Sequence, residues 1–466
     1  MKSQTIEELP IKFLYALPLL MAAIGLAIVA SFGEMYFLIF FAVLVFLVAV
    51  IHPQIRLLSL ILLMPFVYSG LGFALSGFGL FDLYAVFFIS IFILHQCRGG
   101  WRFERVPVLG GAGIMALAFI PSLLNTASLE TSLNSFLRFL YPLVLAWALY
   151  DAVWRQRNPR LLRLILLIFV IETFFIALYG IYDSYAQRSL VNAFVGRVQF
   201  GLFPEVNYYA AYLTLAFPLA YSLLLVEKGR LAKIIFLVIL GGLFFSVVLT
   251  VSRSAMATLV LIFLLYGAYM FKKLAGVKKL FSIALIVALL AGVGLTVFTE
   301  TGRKTVDVIA LVHRVQSALS GRDVSFKQRL TILEVATRMV SAHPVAGVGF
   351  GAFERSFNDY QSGNFSTASA RSTHNTPLRM LAETGVIGLS AGIIFIINFF
   401  IFLWQTNHYN MSPYWRAIWF GLNITLLSFL LLGLALDALT EPPFWVVTAL
   451  TLATGAFARE GLLASP

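Results

Sequence analysis

The sequence holds one cysteine, Cys97, so no disulfide can form within the chain and cysteine usage says nothing about redox compartment. Charge is scarce: Asp, Glu, Lys and Arg together make up 12% of the residues, about half the usual share. Neither a GxxxxGK[ST] phosphate loop nor a GxGxxG dinucleotide fingerprint occurs, which leaves nucleotide-driven transport without support. There is no His/Cys cluster with metal-ligand spacing and no DxD acidic pair between the apolar runs. No internal repeat and no low-complexity tract stands out.

What the chain has is apolar surface. Of its 466 residues 60% are hydrophobic and 15% aromatic, and the mean hydropathy is +0.92. A soluble globule of this size must cover itself with polar groups. This composition therefore excludes a soluble enzyme, a disordered chain and a fibrous repeat. The apolar residues come in solid runs and do not alternate, which argues against a β-barrel. The remaining class is an all-α polytopic membrane protein. Its net charge of +12 fits cytoplasmic loops that collect Lys and Arg, and nothing calls for nucleic acid.

Runs of spanning length number fourteen: 13–32, 35–51, 57–74, 81–96, 107–124, 135–150, 163–181, 208–226, 234–251, 254–270, 280–299, 385–404, 417–436 and 444–458. Several are short, so about twelve to fourteen transmembrane helices are expected. The first run lacks a cleavage site and reads as a retained helix. Placing the N-terminus in the cytoplasm puts the Arg98–Arg105, Arg155–Arg163, Lys228–Lys233 and Lys272–Lys279 clusters inside. This satisfies the positive-inside rule and leaves both termini cytoplasmic. The chain then divides into a bundle of about eleven helices (1–299), one large periplasmic loop (300–384) and C-terminal transmembrane helices (385–466).

The 300–384 segment is the only long polar stretch, and it is rich in Arg and Lys although it lies outside. Either its charges pair among themselves or the basic surface meets an anionic ligand. Within it, Phe326 to Ser341 places Leu330, Leu333, Val335, Ala336, Met339 and Val340 at helical spacing opposite a polar face. That pattern predicts an amphipathic helix lying on the membrane or packed on the bundle. His343-Pro344 ends it. Gly347 to Gly351 (GVGFG) then reads as a flexible turn.

Among residues able to carry chemistry, Arg253 stands at the outer end of a tight hairpin between two apolar runs, where an arginine either snorkels to the interface or binds an anion. Arg322 and Arg329 follow in GRDVSFKQRL, and Arg197 precedes them. The arginine fork matches phosphate oxygens, and several converging forks suggest a pyrophosphate site; singly, each pairs with a nearby Asp323, Glu334 or Glu205. His374 lies between Arg371 and Asn375 just before the chain re-enters the membrane, and histidine is the side chain best placed to accept a proton near neutral pH. His313 and His343 share the loop; His52, His95 and His408 sit at cytoplasmic helix ends.

Four stretches together resemble the O-antigen ligase/polymerase superfamily of bacterial membrane proteins: GLFPEVNYYAAYLTLAFP (201–218), LTVSRSAMA (249–257), SFKQRLTILEVATRMVSAHPVAGVGFGAFERSF (325–357) and STHNTPLRMLAETGVIGL (372–389). The resemblance covers about 195–445. It implies a metal-independent C-class membrane glycosyltransferase with no cofactor. Its donor would be a glycan on undecaprenyl diphosphate. Its acceptor would be a sugar hydroxyl of lipid A-core or of a growing glycan, met among membrane lipid on the outer side of the inner membrane. The family's external histidine matches His374, its SR-motif arginine Arg253, and its loop arginine either Arg322 or Arg329. Arg197, Asn207, Arg371, Asn375 and Glu383 become candidates for substrate contact. Many relatives carry a proline before the asparagine where this chain reads EVN, so the role of Asn207 stays open.

Ligase and polymerase share these motifs. A transporter or flippase is the alternative of a different class. It would place charges deep in helices, where only Glu172 stands here. A structural scaffold would have no use for arginines around one loop.

Overall fold

The structure is a computed structural model and describes residues 52–68, 79–99, 107–187, 203, 205–250, 252–273, 324–361 and 373–464. The expected runs 13–32, 35–51 and 280–299 lie outside the described residues. Within them the protein is all-α: α1 (Pro53–Leu62), α2 (Leu80–Gly99), α3 (Pro107–Phe119), α4 (Leu129–Gln156), α5 (Pro159–Gln187), α6 (Val206–Val226), α7 (Arg230–Leu249), α8 (Arg253–Lys273), α9 (Val324–Ala342), α10 (Phe353–Tyr360), α11 (Thr376–Thr406), α12 (Pro413–Leu432) and α13 (Pro442–Arg459). Seven of these are long and apolar enough to cross a membrane, and α1, α3 and α8 supply shorter apolar helices. The chain is a multi-pass membrane protein.

Proline sets several boundaries. The expected span 57–74 is instead α1 followed by a 3-10 turn, Met64–Tyr68, because Pro65 brings no N–H and constrains the residue before it. Pro121 does the same after α3, where Ile120–Leu124 is 3-10. Pro413 and Pro442 open α12 and α13, a position where the missing N–H has no helical partner to lose. The Ser128 side chain caps α4 by accepting from Thr131 N–H.

The core follows from hydrophobic patterning. α6 is apolar all round and buried from Tyr209 to Leu224, the mark of a central helix. It packs on α5, α7, α8 and α12, while α13 lies on α4 and α11 on α3. The opposite face of α11 exposes Ile393, Ile394, Ile397, Phe400, Ile401 and Trp404, as suits a helix that crosses a membrane. Glu172 is buried between α5 and α6, where the Tyr212 hydroxyl donates to it.

α9 exists as expected, but its packed face is Ile332, Val335, Ala336 and Met339, against α11 and α10. Leu330 and Leu333 point outward. The GVGFG turn is pinned, contrary to the reading of it as flexible. It plugs a break in α11 at Gly385, whose φ of 63° and ψ of −163° are not helical. At the break, Val386 and Ile387 N–H donate to the Pro344 and Val345 carbonyls at 3.0 and 3.3 Å. Val348 and Gly349 N–H donate to the Ala382 and Glu383 carbonyls, both at 3.0 Å. Four backbone groups that the kink frees are thus paired with the turn, as a buried chain requires. Contact is close enough that a Cβ on Gly385 would stand 2.2 Å from the Val345 carbonyl oxygen.

Candidate functional site

The turn at the start of α11 carries the first group of residues. Asn375, extended at φ −159°, caps the helix: its Oδ1 accepts from Leu378 N–H at 2.9 Å. Its Nδ2 donates to the Leu434 carbonyl at 3.2 Å. Thr376 binds the same neighbouring turn three times. Its N–H donates to Gly433 O at 2.8 Å, its hydroxyl donates to Leu436 O at 2.9 Å, and that hydroxyl accepts from Ala438 N–H at 2.9 Å. The 373–376 turn is thereby fastened onto the 433–438 turn that follows α12.

His374 sits in the middle of this fastening with φ +48°, one of two described non-glycine residues in the left-handed region. That conformation costs an L-residue about 1–2 kcal/mol and persists only where surroundings over-determine it. Here both neighbours are tied down: the Thr373 hydroxyl donates to Asp437 Oδ1 at 2.7 Å, and Asn375 is the cap.

One helical turn on, Arg379 stands between two carboxylates. Its Nε is 3.1 Å from Glu383 Oε1 and its Nη1 3.3 Å from Asp437 Oδ2. The Glu383 side chain is 1% exposed and that of Asp437 6%, against 32% for Arg379. Both Glu383 oxygens also accept backbone N–H groups, from Gly351 at 2.8 Å and Phe353 at 3.2 Å. The carboxylate therefore ties the plugging turn and α10 to the guanidinium, in hydrogen bonds strengthened by its charge. Beside this network lies a narrow cleft lined by Phe350, Thr376, Arg379, Met380, Asp437 and Thr440 among others.

A second group lies at the starts of α6 and α8. The Ser252 hydroxyl donates to Asn207 Oδ1 at 3.0 Å, which brings the exposed Arg253, first residue of α8, beside the first turn of α6. Tyr208, next in α6, reaches across to the Asp437 carbonyl with a long 3.5 Å contact. A second cleft, mostly apolar, runs between α6 and α12 past Tyr208, Tyr212, Leu432, Leu436 and Glu441.

Of the residues singled out from sequence, His374, Asn375 and Glu383 thus share the start of α11, and Asn207 and Arg253 share the α6/α8 corner. The 433–441 turn links the two groups. Arg329 is exposed on α9, one turn before Ile332. Arg197, Arg322 and Arg371 lie outside the described residues. Glu334 pairs with Arg338, at 2.7 Å. Two members of the network carried no assigned role: Arg379 and Asp437. The i,i+4 spacing of Arg379 and Glu383 is a readable signal. Asp437 offers only the oddity of an acid between apolar runs. Among the described residues no group of three or more His, Cys, Asp or Glu could hold a metal ion.

Residues 236–393 match the family model described as O-Antigen ligase, which supports placing the chain in the O-antigen ligase/polymerase superfamily and a function of that general type, on lipid-linked glycan substrates. The matched stretch contains Arg253, Arg329, His374, Asn375, Arg379 and Glu383 and ends before Asp437. The chain matches none of the curated proteins.

Proposed function

We propose that the chain is a metal-independent glycosyltransferase of the C class. It would move a glycan from undecaprenyl diphosphate to an acceptor sugar hydroxyl at the periplasmic face of the bacterial inner membrane. As a ligase its acceptor is lipid A-core; as a polymerase it is another lipid-linked repeat unit. Both termini are cytoplasmic in this reading, and 300–384 faces the periplasm.

The observation that carries the reading is what meets the 433–441 turn: the strained, over-determined turn of His374 is fastened onto it, and Tyr208 reaches it from the first turn of α6, where Asn207 is bonded to Ser252, the neighbour of the exposed Arg253. In the proposed reaction the acceptor oxygen attacks the anomeric carbon while the bond from that carbon to the diphosphate breaks. The leaving diphosphate keeps the electron pair. Arg253 stabilises its developing charge, joined by Arg329 or Arg322 and by Arg197 of the neighbouring external segment. The hydroxyl proton passes to His374. Asn207, Arg371 and Asn375 contact substrate or hold those that do. Glu383 acts through Arg379. The apolar cleft between α6 and α12 gives the lipid part of the donor a wall to lie against.

The test is genetic and chemical. Deleting the gene should remove the transferred polysaccharide from the cell surface. Lipid-linked polymer left behind identifies a ligase, and a single repeat on the core a polymerase. His374→Ala should abolish transfer while donor binding survives, and any residual activity should lose the acidic limb of its pH profile. Near wild-type transfer by this variant, correctly inserted, would sink the assignment.

A further inference from the structure

We propose that Thr373 and Thr376 are positioning residues for the proton acceptor, and that together they fix the place and backbone shape of His374 by clasping its turn to the 433–438 turn. The proposal rests on the transfer reading and deepens it: both residues act through His374 on the same site. Thr373 closes the turn from within. Its Oγ1 accepts from Asn375 N–H at 3.3 Å, a hydroxyl of one residue meeting the amide two residues on, with His374 enclosed between them. The same hydroxyl donates to Asp437 Oδ1 at 2.7 Å. Asp437 is itself anchored, since Arg379 Nη1 stands 3.3 Å from its other carboxylate oxygen. Thr373 is 3% exposed, so its hydroxyl meets protein and not bulk water. Rotating it away would break both bonds at once.

Thr376 works from the far side of His374. Its N–H and its hydroxyl make three bonds of 2.8–2.9 Å, to Gly433, Leu436 and Ala438. These partners are spread along the 433–438 turn, so the His374 turn can neither slide nor rotate on it without losing one. What the clasp fixes is direction. His374 is held at φ +48°. Released, an L-residue returns to negative φ, and its Cβ leaves the backbone along another line. A base must come within about 2.6–3.2 Å of the proton it takes, and a displacement of about 1 Å can cost about 10²-fold in rate. The donor's diphosphate is assigned to the Arg253 side, and none of these bonds involves Arg253. Loss of the clasp should therefore slow transfer without weakening the hold on the donor.

The experiment measures transfer by the full chain in nanodiscs. Lipid-linked glycan that accumulates in the gene-deleted cells serves as donor, and a membrane extract of the same cells supplies the acceptor. Thr373→Val and Thr376→Val keep the side chain's shape and lose its hydroxyl; Thr373→Ser and Thr376→Ser keep the hydroxyl. Each valine variant should lower kcat by about one to two orders of magnitude, with KM for the donor unchanged, and each serine variant should run close to wild type. Where a valine variant fails to insert, the smaller alanine at that position takes its part in the test. Wild-type kcat in the valine variants, with only the melting temperature lowered, would make the clasp a structural fastening and overturn the proposal. So would serine variants as slow as their valine counterparts, or a rise in donor KM that accounts for the loss. His374→Ala in the same assay separates two failures. Near wild-type transfer by that variant overturns the transfer reading, whereas its inactivity beside fully active valine variants overturns the positioning role alone.

Discussion

Replacing Gly385 by alanine strikes the join on which the first group of site residues depends. The backbone there lies in a region open essentially to glycine alone, and an L-residue held in it costs about 1–3 kcal/mol. The new Cβ would also meet the Val345 carbonyl oxygen at 2.2 Å and carbon at 2.3 Å. These are backbone atoms that cannot swing aside, and overpacking of this kind adds typically about 1–3 kcal/mol. If the chain relieves the clash by withdrawing the turn, it forfeits the four backbone hydrogen bonds across the break, each worth about 1 kcal/mol net. Keeping the turn in place costs about 2–6 kcal/mol by this sum and withdrawing it about 4 kcal/mol, either a large share of the stability of an ordinary domain. Withdrawal would also pull Gly351 and Phe353 from Glu383 and loosen Arg379. The assay is thermal unfolding of purified protein in detergent by size-exclusion with fluorescence detection, alongside transfer activity. Gly110→Ala serves as the control, since nothing stands within 4 Å of its Cβ and alanine favours the helix. Gly385→Ala should melt markedly lower than Gly110→Ala and lose activity. If the two variants melt together, the plugged break is not what holds α11 in place.

Arg253→Lys keeps the charge but loses the fork, so transfer should fall by about one to three orders of magnitude; an unchanged kcat/KM would remove Arg253 from the site. A cysteine placed at Gln361, in a chain with Cys97 replaced, should react with a membrane-impermeant maleimide in intact cells, and labelling only after permeabilisation would reverse the topology. Activity of the purified chain should persist in excess EDTA, because arginines take the part of a Lewis acid; a strict need for magnesium or manganese would give the acids a role in holding metal. Asn375→Ala should cost about 1 kcal/mol through the lost cap alone, visible as a lower melting temperature with the fold retained.

The sequence by itself determined the class of the molecule. Apolar runs can be satisfied only by lipid or by one another, so composition and periodicity dictate a helical membrane bundle, while the starts at 135, 417 and 444 read from the apolar runs moved back to Leu129, Pro413 and Pro442, where the Ser128 cap and the prolines open the helices. Motif spacing likewise marked His374 and Arg253, because each stands in a short recognisable stretch. What the tertiary structure alone decided are the meetings between distant segments. Gly385 reads as the start of a helix in the sequence, and only the turn at 344–349 reveals it as a break in a helix that began at Thr376. The amphipathic pattern put Leu330 and Leu333 on the apolar face, and the packing of α9 against α11 instead took Ile332, outside that pattern, for the interior. Asp437 looks like an isolated acid until α12 carries it back to Thr373 and Arg379. Local propensity acts within a few residues, whereas an ion pair or a cleft depends on where whole helices pack, and that is fixed by the summed burial of surfaces far apart in the chain.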